Sequence, residues 1–92
     1  MSNPADLRRL VAVEADLVRV EPAKRCFRFY HLAIWPDLFG GVSLVREWGR
    51  LGSPGKLRLD PHADEAQAHK ALVRLARVKR HRGYREVTPM LP

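Results

Sequence analysis

The sequence predicts an α+β domain: a twisted antiparallel meander of about four to five strands carrying one long helix on a face. Three observations carry that prediction. The run Cys26–Trp35 is rich in aromatic residues, has the length of a strand and stops at Pro36. The segments Val42–Arg50 and Lys56–Leu59 follow it after turn-forming residues, so each reads as the return of its predecessor. Beyond Asp64 the apolar period lengthens from two to about 3.6, the mark of a helix. With 92 residues the chain has room for one core and no second, catalytic domain.

Taken in order, Asn3-Pro4 reads as an N-cap with proline at the first helical position, and Leu7, Leu10 and Val11 recur at helical spacing. Residues 1–16 are therefore expected to be an N-terminal extension with a short helix. Leu17–Val20 is short and ends at Glu21-Pro22, which predicts an edge strand, and Pro22–Arg25 a turn. Cys26–Trp35 is apolar on both sides of its pleat. Cys26, Tyr30, Leu32 and Ile34 share one side, and Phe27, Phe29, Ala33 and Trp35 the other, as in a central strand covered on both faces. Asp37–Gly41 supplies the hairpin turn, and Ser53-Pro54-Gly55 suits a type II turn. In Lys56–Leu59, Leu57 and Leu59 are expected inward, Lys56 and Arg58 outward.

Asp64 and Gln67 have the spacing of a capping box, and Gly83 sits where a left-handed cap ends a helix. Between them Ala68, Ala71, Leu72, Leu75 and Val78 form an apolar stripe. Lys70, Arg74, Arg77 and His81 fall on the opposite arc, facing water. Such a helix is about 27 Å long, enough to cross a small sheet. Tyr84–Val87 can add a last strand, leaving 88–92 as a tail.

Composition narrows the function. Hydrophobic residues make up 46% and charged residues 29%, the balance of a folded globular chain. No long uncharged apolar run and no signal-peptide succession is present, so a soluble, cytoplasmic protein without membrane contact is expected. A lone Cys26 excludes an internal disulfide and a cysteine-rich zinc site. No phosphate loop, nucleophile elbow or metal-ligand spacing occurs, the histidines His31, His62, His69 and His81 are scattered, and Asp64, Glu65, Asp37 and Asp60 are accounted for by caps and turns. The expectation is a non-enzyme with no cofactor and no metal. Seventeen Lys and Arg against ten Asp and Glu leave a net charge of +7, which favours a polyanionic partner. The excess is concentrated late: from Lys70 to Arg85 there are seven bases and no acid.

The most informative segment is Val45-Arg46-Glu47-Trp48-Gly49-Arg50-Leu51-Gly52. On a strand, Arg46, Trp48 and Arg50 share a face, framing an indole between two guanidiniums. An indole stacks on a base or sugar, and flanking guanidiniums neutralise phosphate, so the trio suits a nucleic-acid terminus. Val42 and Leu44 lie on the same face, so the spacing also fits a core tryptophan past which the arginine stems snorkel. Gly49 and Gly52 fit either a closely approached backbone or a plain bulge before a turn.

At these residues the chain resembles the WGR domain, whose tripeptide is here Trp48-Gly49-Arg50. The resemblance extends to Phe29-Tyr30, Pro36-Asp37-Leu38-Phe39-Gly40, the run Arg46–Ser53, Gly55-Lys56, the helix start near Asp64-Glu65-Ala66, and Lys79 with Gly83-Tyr84. It covers roughly residues 17–87. In the poly(ADP-ribose) polymerases that respond to DNA breaks, this domain holds DNA. The resemblance implies that Trp48 packs against the terminal sugar or base of a 5′ strand end, that Arg50 contacts DNA or a neighbouring domain, and that Lys56 meets the backbone. Lys79 follows by position, and Tyr84 stands where the family has an aromatic residue. The ADP-ribosyltransferase domain of those polymerases is absent from these 92 residues, and the Pro54-Gly55 turn is compact.

Two functions are thus open. One is a non-catalytic nucleic-acid-binding module, DNA before RNA, with a preference for ends or nicks through Arg46, Trp48, Arg50, Lys56, Lys79 and Tyr84. Lys70, Arg74 and Arg77 would then be a second backbone contact or only a solvated face. The other is a protein-interaction domain whose Trp/Arg face docks an acidic partner.

Overall fold

A computed structural model of the chain describes residues 14–37 and 40–87. The short N-terminal helix expected near Leu7–Val11 lies outside them. Strands β1 (Glu14–Glu21), β2 (Cys26–Pro36), β3 (Val42–Arg50) and β4 (Lys56–His62) form an antiparallel meander. Helix α1 (Glu65–His81) crosses one face, and β5 (Arg85–Glu86) completes the sheet in the order β4-β3-β2-β1-β5. The α+β reading holds.

The turns follow from local chemistry. Pro22–Lys24 is a single 3-10 turn closed by Arg25 in the left-handed region (φ 51), whose N–H donates to Pro22 O at 3.0 Å. At the β2–β3 turn, Asp37 and Gly41 exchange bonds, Asp37 N–H to Gly41 O and Gly41 N–H to Asp37 Oδ1, both 2.9 Å. The β3–β4 turn is displaced from the expected Ser53-Pro54-Gly55. Its hydrogen bond runs from Ser53 N–H to Arg50 O at 3.0 Å, and Gly52 takes the positive φ of 86°. Gly55 (φ 73°) has a separate task. A Cβ there would lie 2.5 Å from Trp48 O and 2.7 Å from Phe29 Cζ, and one on Gly49 would lie 2.7 Å from Gly55 Cα. Gly49 and Gly55 therefore make room for the chain's own backbone at the end of the hairpin.

Helix α1 starts where Asp64 Oδ1 accepts the Gln67 N–H at 2.9 Å. It ends in a Schellman arrangement around Gly83 (φ 97°), with Gly83 N–H to Arg80 O at 3.1 Å and Tyr84 N–H to Lys79 O at 3.0 Å. Its buried residues are Ala68, Ala71, Leu72 and Ala76. Three alanines among four let the helix lie close to Leu17, Tyr30, Leu32, Ile34 and Leu44 of the sheet, with which they form the core. Leu75 packs against this core, whereas Val78, expected on the stripe, is exposed. At about 100° per residue Val78 is at the margin of the arc, and Lys79 falls about 20° from Ala68, near its centre.

Three expectations are corrected. Strand β1 is not an edge, because β5 pairs with it at Leu17↔Glu86 and Val18↔Arg85. Strand β2 is central, but the single helix lies over Tyr30, Leu32 and Ile34 alone; on the other face Ala33 is buried while Phe27 and Trp35 are exposed. Leu57 and Leu59 are not inward. They lie on that same open face, and Lys56 and Arg58 are on the helix side. Among the described residues no helix is long and apolar enough to cross a membrane, and Cys26 is a free, half-buried thiol.

Replacing Asp64 by Ala removes the cap and is expected to cost about 1 kcal/mol. Gly55→Ala forces a Cβ against Trp48 O at an unfavourable φ, and an expected cost of about 2–4 kcal/mol follows. Urea denaturation followed by circular dichroism checks both, with unchanged m-values expected.

Candidate nucleic-acid interface

The register builds the site. On the helix side of the sheet, Leu17, Tyr30, Trp48 and Lys56 stand directly across from one another on β1, β2, β3 and β4. One step towards the β3–β4 turn the same face carries Arg19, Arg28 and Arg50. One step the other way it carries Ala15, Leu32, Arg46 and Arg58. An aromatic row is thereby bracketed by two rows containing guanidiniums.

Within the row Tyr30 is buried and Trp48 half-buried. The two rings stack with centroids 5.9 Å apart and planes 20° from parallel. Tyr84 meets Tyr30 edge-on at 6.3 Å. Lys79, from the buried arc of α1, holds its ammonium 4.5 Å from the Tyr30 centroid and 5.6 Å from that of Tyr84. The Schellman bond from Tyr84 N–H to Lys79 O fixes these two side chains together at the end of the helix. The tryptophan is thus both things the spacing allowed, packed against the core on one side and partly open on the other.

The carboxylates sort the cations. Asp60 takes Arg46 (Nε 3.0 Å from Oδ2) and Arg58 (Nε 2.8 Å from Oδ1), Glu21 takes Arg19 and Lys24, and Glu86 takes Arg80. Arg46 is only 17% exposed and lies over the Trp48 ring at 5.8 Å, so it braces the indole. Arg28, Arg50, Lys56, Lys79 and Arg82 have no carboxylate within ion-pair distance among the described residues. Burial lowers the Lys79 pKa below the usual lysine value, and the positive charges of Arg82, Arg46 and Arg28 push it the same way.

Of the residues singled out from sequence, Trp48, Arg50, Lys56, Lys79 and Tyr84 converge here, with Arg46 held behind the indole. Lys70, Arg74 and Arg77 do not join them. They line a shallow depression with His69 and Val73 on the exposed side of α1. Two residues of the cluster escaped sequence reasoning. Arg28 was legible in principle, since it stands two residues before Tyr30 and so shares its face, whereas Arg82 reaches Lys79 only through the helix-ending turn. Among the described residues no group of three or more histidines, cysteines and acids could hold a metal ion.

Comparison with known proteins identifies the family. A family profile described as the WGR domain matches residues 13–90. An uncharacterized protein, y4dW, of Sinorhizobium fredii (strain NBRC 101917 / NGR234) is 39% identical over 74 residues, which is 80% of this chain and 36% of that protein. The chain thus spans about a third of that relative's length. No solved structure matches. With the match running over nearly the whole described sheet and helix, the chain belongs to the WGR domain family, a non-catalytic module whose general role, in poly(ADP-ribose) polymerases, is nucleic-acid binding.

Proposed function

We propose that the protein is a DNA-binding module that prefers strand ends or nicks. The observation that carries this reading is the set of cations without carboxylate partners, Arg28, Arg50, Lys56, Lys79 and Arg82, gathered around the Tyr30–Trp48 stack. The open part of the indole receives a terminal sugar or base, while Arg50, Lys56 and Lys79 take the phosphates that follow. Tyr84 holds Lys79 in place, and Arg46, tied to Asp60, orients Trp48 instead of reaching phosphate. Lys70, Arg74 and Arg77 add a second, weaker backbone contact from the far side of α1. The setting is the cytoplasm and the partner DNA before RNA.

Phosphate contacts set affinity and the aromatic contact sets preference. If about four to six phosphates are neutralised, log K falls against log salt with a slope of about −4 to −5 on duplex DNA. Trp48→Ala is expected to abolish discrimination between a 5′-phosphorylated linear duplex and a closed circle while keeping most of that slope. Paired replacement of Arg50 and Lys56 by Ala is expected to lower the slope by about 2 on either substrate. Competition among 5′-phosphorylated ends, hydroxyl ends and circular duplex measures both. Equal affinity of the wild type for all three rejects the end preference, and no mobility shift at low salt rejects nucleic-acid binding in favour of an acidic protein partner.

Proton linkage gives an independent check. Bound phosphate favours the charged form of Lys79 and so raises its lowered pKa, which means that binding takes up a proton between the two values. Affinity is therefore expected to fall as pH rises through the lowered Lys79 pKa, before ordinary lysines titrate. Lys79→Arg should remove that phase and keep the rest of the profile.

A further inference from the structure

The face of the sheet turned away from α1 carries several exposed apolar side chains, although Ala33 near its middle is buried. Val20, Phe27, Trp35, Leu57 and Leu59 are all exposed on it, Leu57 at 64% and Trp35 at 56%, and among the described residues no helix covers it. An uncovered antiparallel face is normally polar, so an apolar one marks an interaction surface.

Charge says what that surface does not bind. Among the described residues its acids are Glu14, Asp16 and Glu47, facing only Arg85 and the His31 that pairs with Asp16. All the cations of the aromatic site are on the opposite side. A polyanion is thus disfavoured, and the occupant is a protein. Addition of a strand at an edge is also disfavoured, because β4 carries Lys56, Arg58 and Pro61, and β5 is only two residues long.

We propose that the occupant is a second copy of this chain, packed face to face about a two-fold axis. Strands β1 to β4 have 8, 11, 9 and 7 residues. At strand spacings of about 4.8 Å and rises of about 3.3 Å per residue they cover about 500 Å². Two such faces bury about 1,000 Å², the lower limit of a specific interface. Two identical sheets meet about 10 Å apart, with the exposed apolar residues placed on either side of the polar row Asp16–His31–Glu47, in which His31 and Asp16 are already hydrogen-bonded to each other. Each copy's helix and cation cluster then point away from the seam, so the like charges of two basic chains are kept apart. The dimer does not depend on what the Trp48 side binds. If that side binds DNA, the assembly presents two such sites in opposite directions.

Size-exclusion chromatography with light scattering tests this over a dilution series. The wild type is expected at twice the mass of one chain, dissociating on dilution, and the double variant Trp35→Asp, Leu59→Asp at the mass of one chain with an unchanged circular dichroism spectrum. If that variant does not fold, Leu57→Ser, at the most exposed of these positions, should weaken dimerisation about tenfold. A wild type at the mass of one chain throughout overturns the proposal, as does a dimer that none of these substitutions weakens.

Discussion

The ring of Tyr30 touches the indole of Trp48 on the neighbouring strand, the ring of Tyr84 beyond the helix and the ammonium of Lys79 within it. Sheet, helix and closing strand are joined at that one residue. Because it is buried, its partners cannot move independently: the register that stacks Trp48 on Tyr30 also sets Lys56 beside Trp48, and the cap that ends α1 also brings Tyr84 under Lys79. The lysine is held by two aromatic faces and, among the described residues, has no carboxylate within ion-pair distance, an arrangement in which cation–π attraction offsets only part of the cost of removing its water. The site is thus assembled by the core.

The sheet separates two chemistries. On its helix side the arginines outnumber the acids, and each acid that is present neutralises a cation at the margin of the aromatic row or behind it. On its open side the few charges are mostly acids and the surface is apolar. Alternation along every strand does this work, so the net charge of +7 is not spread over the domain but directed.

Much of this was legible in the sequence. The strands β2 and β3, the capped helix and the shared face of Arg46, Trp48 and Arg50 follow from period, turn residues and caps, which are local properties. What was not legible depends on counting layers. Two-sided apolarity in Cys26–Trp35 predicts burial on both faces, but pattern alone does not say that among the described residues one helix lies over the sheet, on one side. The same gap misplaced Leu57 and Leu59. Strand β1 read as an edge because the two-residue β5 is too short to leave a periodic signal. Lys79 illustrates the opposite case: its angle on the helix put it at the centre of the buried arc, and only its charge argued otherwise. Trp48 could not be assigned to core or surface because a half-buried ring is both.

The closing strand has one more effect. Val87 N–H donates to Asp16 O at 2.8 Å, so the incoming strand and the outgoing one are hydrogen-bonded neighbours. A module whose entrance and exit share one corner can be grafted into a host loop without stretching it, since the gap to be bridged is about the spacing between two strands. Tandem copies or transplantation into an unrelated scaffold would leave the hairpin end, at the other extreme of β1, free of the junction.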